Sequence, residues 1–415
     1  MRSHPALLDR QRVGRALVMA GTFIGPLSQW LVFWLLARVS GPTAPGEFAT
    51  LLAYATPLFT AAGWGLRNTC ITLRKEYPFA AYLRLRVLAL AAGSLCIVAV
   101  GAALGLHAVL VIAVTIMKIA DGVIDILYAP LQKSGALLPF GLLMILNGAL
   151  TVLGALVLAA VGGSAQIIVL GSSFGSVVTA VVAIPVVRRR ASLGGLRPTA
   201  EEKAGLLWRI IVESTPVAVW QVLAVLVVNL PTWVVSIAGS AADVGRFSAA
   251  AYILTAGSLL GASLNSMYIG DYRMLVRRSG RDALISMAGR TTRWVLIGGI
   301  VAAVVLHVLG PPVFSTLYGR GFDFESLLLS SLTIAATLNA VTQVLNAALL
   351  ALNRYRNQVR VAVWSLLIGV VAVIPCGALG VSAVWCGVLS ALVSSIVKTG
   401  MSVHYVRSDD AAVES

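Results

Sequence analysis

The sequence predicts an all-α integral membrane protein: twelve transmembrane helices in two parallel six-helix bundles. Three observations lead there. Of 415 residues, 59% are hydrophobic and only 11% are charged, where soluble domains carry roughly 25% charged residues. The apolar residues gather into runs of about 20 or more, enough helix to cross a bilayer. The basic residues fall almost wholly in alternate gaps between those runs.

Taken in order, the first six runs cover residues 13–37, 46–66, 87–106, 108–131, 136–161 and 165–187. The next six cover 214–238, 244–270, 291–309, 326–352, 359–376 and 379–403. With the N-terminus in the cytoplasm, only Arg38, Arg246 and Arg320 fall outside, and Lys118 alone falls in the middle of a span rather than at its end. The rest of the 31 Lys and Arg face inward. A miscounted helix would invert every later loop and erase this bias, so both termini are expected in the cytoplasm of a multi-pass inner-membrane protein. The same bias accounts for the formal charge of +15 without nucleic acid, whose binding would gather the basic residues on one face or stripe. The first run is too long for the apolar stretch of a removable leader.

The longest polar stretch divides the chain into an N-terminal bundle (1–187), a cytoplasmic linker (188–213) and a C-terminal bundle with a short tail (214–415). In the linker, Thr199 and Glu202 form a capping box ahead of Leu206, Leu207 and Trp208, which predicts an amphipathic helix lying at the membrane face. Weak repetition supports the halves. Gly46-Glu47-Phe48-Ala49 follows the first run and Gly245-Arg246-Phe247-Ser248 the seventh. Leu131-Gln132-Lys133 closes the fourth and Leu352-Asn353-Arg354 the tenth. Equal orientation of the halves requires parallel repeats about an axis along the membrane normal.

Candidate chemistry concentrates on the fourth run. Lys118, Asp121 and Asp125 stand at i, i+3 and i+7 and share one helix face. A charge at mid-bilayer is costly, so Lys118 must face water or a partner. A buried Lys118–Asp121 ion pair is the structural alternative to a cavity lining. Asp121 and Asp125 are also candidates for a coupling proton or cation. Arg67 follows the second run, Arg290 and Arg293 open the ninth, and Lys398 ends the twelfth. Guanidinium suits phosphate, although inward anchoring accounts for each of these residues taken singly. Asn339, Gln343 and Asn346 run i, i+4, i+7 along the tenth span, either to hydrogen-bond sugar hydroxyls or to join helices. Pro26, Pro216 and Pro231 kink the leading helix of each half and are candidate hinges, with static kinks as the alternative.

Cys70, Cys96, Cys376 and Cys386 read as small buried hydrophobes, with a 376–386 disulfide the lesser alternative, and no metal site is expected. No Walker loop, His-Glu-x-x-His or Gly-x-Ser-x-Gly occurs. The four histidines sit at span ends without an acidic partner, and the outer loops are very short. The chain is therefore not expected to be an enzyme.

One resemblance covers essentially the whole chain. It rests on Leu35-Leu36-Ala37-Arg38, Gly46-Glu47-Phe48-Ala49 and Gly63-Trp64-Gly65-Leu66. It rests also on the fourth-span exit from Asp125 through Leu131-Gln132-Lys133, with Leu352-Asn353-Arg354 as counterpart. With this layout the chain resembles the polysaccharide (O-antigen type) flippases of the multidrug/oligosaccharidyl-lipid/polysaccharide (MOP) exporter superfamily. The resemblance implies a central cavity between two bundles. By alternating access, a polyprenyl-diphosphate-linked oligosaccharide would move from the inner to the outer leaflet. Basic cavity residues would hold diphosphate and sugar, and by position these are Lys118, Arg67 and Arg290 or Arg293. An H+ or Na+ gradient would drive the return, with Asp121 and Asp125 as its candidates. No cofactor is implied. Expected partners are the lipid bilayer, the lipid-linked glycan and a glycan polymerase or glycosyltransferases. Lipid II flippases of the same superfamily usually carry two more helices, which ranks them lower. The runner-up is an ion-coupled multidrug exporter of the superfamily, whose cavity should be acidic and aromatic, against Lys118. A membrane enzyme of glycan assembly should carry a large outer loop; a non-transporting scaffold is the remaining alternative.

Overall fold

The computed structural model describes residues 5–73, 77–190, 200–352 and 354–408, so Thr199 of the expected capping box and Asn353 lie outside the described residues. Within them every regular element is a helix. The first seven are α1 (Pro5–Ser40), α2 (Thr43–Gly63), α3 (Leu66–Thr72), α4 (Phe79–Ala103), α5 (Ala108–Lys133), α6 (Leu137–Ala160) and α7 (Ala165–Arg190). Then follow α8 (Ala200–Ala238), α9 (Ala241–Tyr318), α10 (Ser326–Ala351), α11 (Tyr355–Val371), α12 (Ile374–Ala378) and α13 (Ala383–Arg407).

Among the described residues, nine helices are long and apolar enough to cross a membrane. α5 falls outside that measure because Lys118, Asp121 and Asp125 occupy its middle. Large apolar side chains such as Leu95, Phe174, Trp294, Ile300 and Val308 point outward. Such faces suit hydrocarbon as solvent, since the helical backbone satisfies its own hydrogen bonds.

Three boundaries differ from the apolar runs. α9 is 78 residues long, nearly four times the about 20 that one crossing takes. The expected loop between the eighth and ninth runs is helical apart from Gly280, whose φ of 78° and ψ of −176° interrupt the helix. That conformation is open essentially to glycine alone. α4 begins at Phe79, ahead of the apolar run at Val87, because Ala81 and Tyr82 are buried against Leu66, Ile126 and Ile210. The polar residues before Ser214 are the first turns of α8, which continues unbroken to Ala238.

The chain divides into two compact units. One holds Met1–Ser40 and Glu47–Val225, the other Gly41–Gly46 and Leu226–Ser415. In the first, α5, α6 and α7 share a core built on Ile124, Tyr128, Phe140 and Ala183. In the second, Tyr272, Leu284, Val344 and Val406 join α9, α10 and α13. Here the repeated glycines meet reciprocally. A side chain at Gly46 would strike the Ala241 carbonyl, and one at Gly245 the Pro42 carbonyl. The start of α2 and the start of α9 therefore pack backbone on backbone.

Candidate functional site

The site forms in the first unit where α2 gives way to α3. α2 stops at Gly63, and Trp64 (φ 44°) and Gly65 (φ 64°) both take left-handed conformations. The turn is held by the Trp64 indole N–H, which donates to the Ile211 carbonyl at 3.1 Å, and by the buried Leu66. Beyond the turn, Tyr77 donates to Glu213 at 2.8 Å, and burial followed by this hydrogen bond pushes the Tyr77 phenol upward.

This bend carries Arg67 onto the charged face of α5. Arg67 Nη1 donates to Asp125 Oδ1 at 2.9 Å, while its Nε and Nη2 donate to Gln132 Oε1 at 3.1 and 3.0 Å. The same guanidinium lies 5.5 Å from the Tyr128 ring centroid and 5.6 Å from that of Phe140. Arg86, from α4, donates to the other oxygen of Asp125. Arg86 is only 4% exposed, and its Nε has no hydrogen-bond partner among the described residues. Asp125 thus bridges two guanidinium groups from two helices.

Asp121 has different surroundings. It accepts from Ser176 of α7 at 2.9 Å, and Asn147 of α6 stands beside it. Lys118 is half-buried and forms no hydrogen bond or ion pair with any described residue. The direct Lys118–Asp121 contact that their spacing allows is not made.

Two cavities of about 430 and 350 Å³ share Arg67, Lys118, Asp121 and Asp125 as common wall. Both lie within the roughly 300–1,000 Å³ of small-molecule sites. The larger continues along Thr60, Asn68, Trp220 and Gln221, the smaller along Gln29, Asn147, Ser172 and Ser176. Two cations and two carboxylates balance on the shared wall, and Arg86, which lines the larger cavity, leaves that one with an excess positive charge. An anion with several oxygens can meet Lys118 and the free donors of Arg67 together.

The chain is similar to the lipid II flippase MurJ in an inward closed conformation, with a TM-score of 0.70 and 15% identity over 95% of this chain and 88% of that one. It is similar also to the inward-facing conformation of a multidrug resistance MATE family transporter of the MOP superfamily: TM-score 0.64, 14% identity, 96% of this chain and 98% of that. The chain has the fold of MOP superfamily transporters. A further MOP superfamily transporter, from Pyrococcus furiosus, is described by the reverse polarity of its binding pocket; it matches with a TM-score of 0.59 and 14% identity over 96% of this chain and 95% of that one. No protein-family model matches the chain, and no curated protein does. The apolar helices and these neighbours indicate a multi-pass membrane protein, and the neighbours are transporters and flippases rather than enzymes.

Within this MOP-type fold, the expected site residues separate. Lys118, Arg67, Asp121 and Asp125 come together in the first unit. Arg290 and Arg293 lie on the exposed side of α9 in the second unit. Asn339 and Gln343 belong to the second unit too. Lys398 Nζ reaches Asn339 Oδ1 at 3.5 Å, Asn265 donates to the Gln343 carbonyl at 2.9 Å, and Asn346 approaches Gln343 Oε1 at 3.5 Å. The first two contacts join α10 to α13 and α9; the third lies within α10. Pro26 lies within α1, and Pro216 and Pro231 lie within α8. Cys376 and Cys386 are free thiols.

Sequence reasoning misses Arg86, Ser176 and Asn147. Arg86 reads with Arg84 as an inward anchor because it precedes the apolar run at Val87. The signal for it is its place one helical turn beyond Tyr82, a residue that packs.

Proposed function

We propose that this chain is a flippase that carries a polyprenyl-diphosphate-linked oligosaccharide from the inner to the outer leaflet by alternating access. In this reading it spans the inner membrane twelve times, as two parallel six-helix bundles, with both termini cytoplasmic. The observation that carries the reading is Lys118, which makes no hydrogen bond or salt bridge with any described residue, in a cavity wall beside the Arg67–Asp125–Arg86 bridge. An unpaired ammonium inside a membrane span is costly unless water or a ligand solvates it. A diphosphate supplies two charged phosphoryl groups, and guanidinium matches their oxygens bidentately.

Lys118 and Arg67 are assigned to the diphosphate. Arg290 and Arg293, exposed on α9, are assigned to attracting it electrostatically. Asn339 and Gln343 remain candidates for sugar hydroxyls, and Pro26, Pro216 and Pro231 for hinges. Asp121, which accepts from neutral partners among the described residues, is the first candidate for a coupling H+ or Na+, and Asp125 the second. A glycan polymerase or glycosyltransferases are the partners this reading calls for.

Likeness to the multidrug MATE transporter favours a second reading, export of small molecules. The excess positive charge of the larger cavity repels cationic drugs by Coulomb's law, so there that reading favours anionic or neutral cargo. The two are separated in proteoliposomes containing a fluorescent short-chain polyprenyl-diphosphate oligosaccharide. The wild-type chain is expected to move it across the bilayer, and Lys118→Ala to abolish movement at unchanged protein abundance. Undiminished movement in Lys118→Ala removes α5 from the mechanism, and no movement by the wild type removes the lipid-linked substrate.

A further inference from the structure

Within the proposed site, the acid that makes the most ionic contacts is also more exposed than either of its partners. The Asp125 side chain is 37% exposed, that of Arg67 27% and that of Arg86 5%. Arg86 is walled in by α2, where a Cβ built at Gly63 would lie 2.5 Å from its Nη1. Arg86 therefore cannot follow a ligand. Arg67 is held independently of Asp125, by Gln132 and by the rings of Tyr128 and Phe140. Its guanidinium stays in place when Asp125 leaves, and Lys118 lines the same two cavities without a salt bridge to any described residue.

A phosphate-type anion bound by Lys118 and Arg67 meets the Asp125 carboxylate at the guanidinium edge of Arg67. Two anions brought close together repel each other. We propose that Asp125 is the resident anion of the site, an internal competitor that occupies Arg67 until a diphosphate-type ligand displaces it and that reclaims Arg67 as the ligand leaves. The inference rests on the diphosphate reading above. It answers a need of any carrier, which must bind its cargo well enough to load and weakly enough to release. While Arg67 is engaged elsewhere, Arg86 keeps the displaced Asp125 from facing the cavity as an uncompensated charge.

Gln132 permits the opposite change. Its oxygen already accepts from Nε and Nη2 of Arg67, so Gln132→Glu adds a second carboxylate to the same guanidinium. Binding of farnesyl diphosphate and of inorganic diphosphate is measured by calorimetry on the purified full chain in detergent. Asp125→Asn is expected to tighten both by about tenfold, and Gln132→Glu to weaken both by a similar factor. An Asp125→Asn protein that binds no more tightly than wild type overturns the proposal, as does a Gln132→Glu protein that binds no more weakly. If Asp125→Asn does not fold, Gln132→Glu alone decides. Wild-type protein that binds neither diphosphate defeats the functional reading itself, whereas wild-type binding with the wrong sign in the variants defeats only the role of Asp125. Preference for the farnesyl ester over inorganic diphosphate assigns the anion to a lipid; equal affinity assigns it to free phosphate.

Discussion

Arg86 and Asp125 form a salt bridge in which the base is sealed and the acid is not, with side chains 5% and 37% exposed. The two partners therefore depend on each other unequally. Asp125 keeps Arg67 and some solvent if Arg86 is lost. Arg86 has no second ionic partner among the described residues if Asp125 is lost. A buried charge left alone costs more than the pair was worth.

That asymmetry predicts unequal stability losses. Asp125→Ala should cost about 3–5 kcal/mol, as for a stranded buried charge. Arg86→Ala should cost about 1.5–3 kcal/mol, the range for a charged hydrogen bond. Unfolding of the two variants in mixed micelles measures the order, and Arg86→Met with Asp125→Leu in one chain should recover part of the larger loss. Equal costs would mean that water reaches Arg86.

The turn that aims Arg67 is the next target. Gly65 has φ 64°, and an added Cβ would lie 3.0 Å from Val217 Cγ1 and 3.2 Å from the Ala218 nitrogen. Gly65→Ala should cost about 1–2 kcal/mol from the left-handed backbone alone, and more if α8 cannot yield. Diphosphate binding should fall with it, because Arg67 is the second residue of α3. A thermal scan and a binding isotherm on the same preparation report both effects.

The reciprocal glycine contact predicts a contrast between two glycines of α9. Gly245→Leu should prevent folding, since its side chain meets the Pro42 carbonyl, a backbone atom that cannot rotate away. At Gly289 an added Cβ would meet nothing within 4 Å, so alanine there should be accepted with a gain of up to about 1 kcal/mol from helix propensity. Yield and elution profile after membrane extraction distinguish them.

Two arginines hold the end of α13. Arg281 donates to the carbonyls of Arg407 and Ser408, each at 2.6 Å, and Arg354 to that of Ser408 at 2.8 Å and to that of Tyr405. Cations favour a helix C-terminus by about 0.3–1 kcal/mol each when exposed. Replacing both by alanine should expose the last turn to protease while leaving the rest of the chain resistant, a change that mass spectrometry of the digest reads directly.

Much of this protein is written in the order of its residues. Apolar runs longer than a bilayer is thick leave the backbone no option but helix, and the i, i+3, i+7 spacing puts Lys118, Asp121 and Asp125 on one face whatever surrounds them. Those are properties of a single helix, and local geometry suffices to derive them. Arg86 is hidden in the sequence because its importance depends on α4 starting early, which the burial of Tyr82 against α3, α5 and α8 brings about. Asn339 and Gln343 could serve a ligand or a neighbouring helix by sequence alone, and only the fold brings Lys398 and Asn265 within reach of them. Which partner each polar group meets is settled by side chains far away along the chain. A carboxylate such as Asp125 is present in the sequence whatever surrounds it, but only the packed helices decide that two guanidinium groups stand against it.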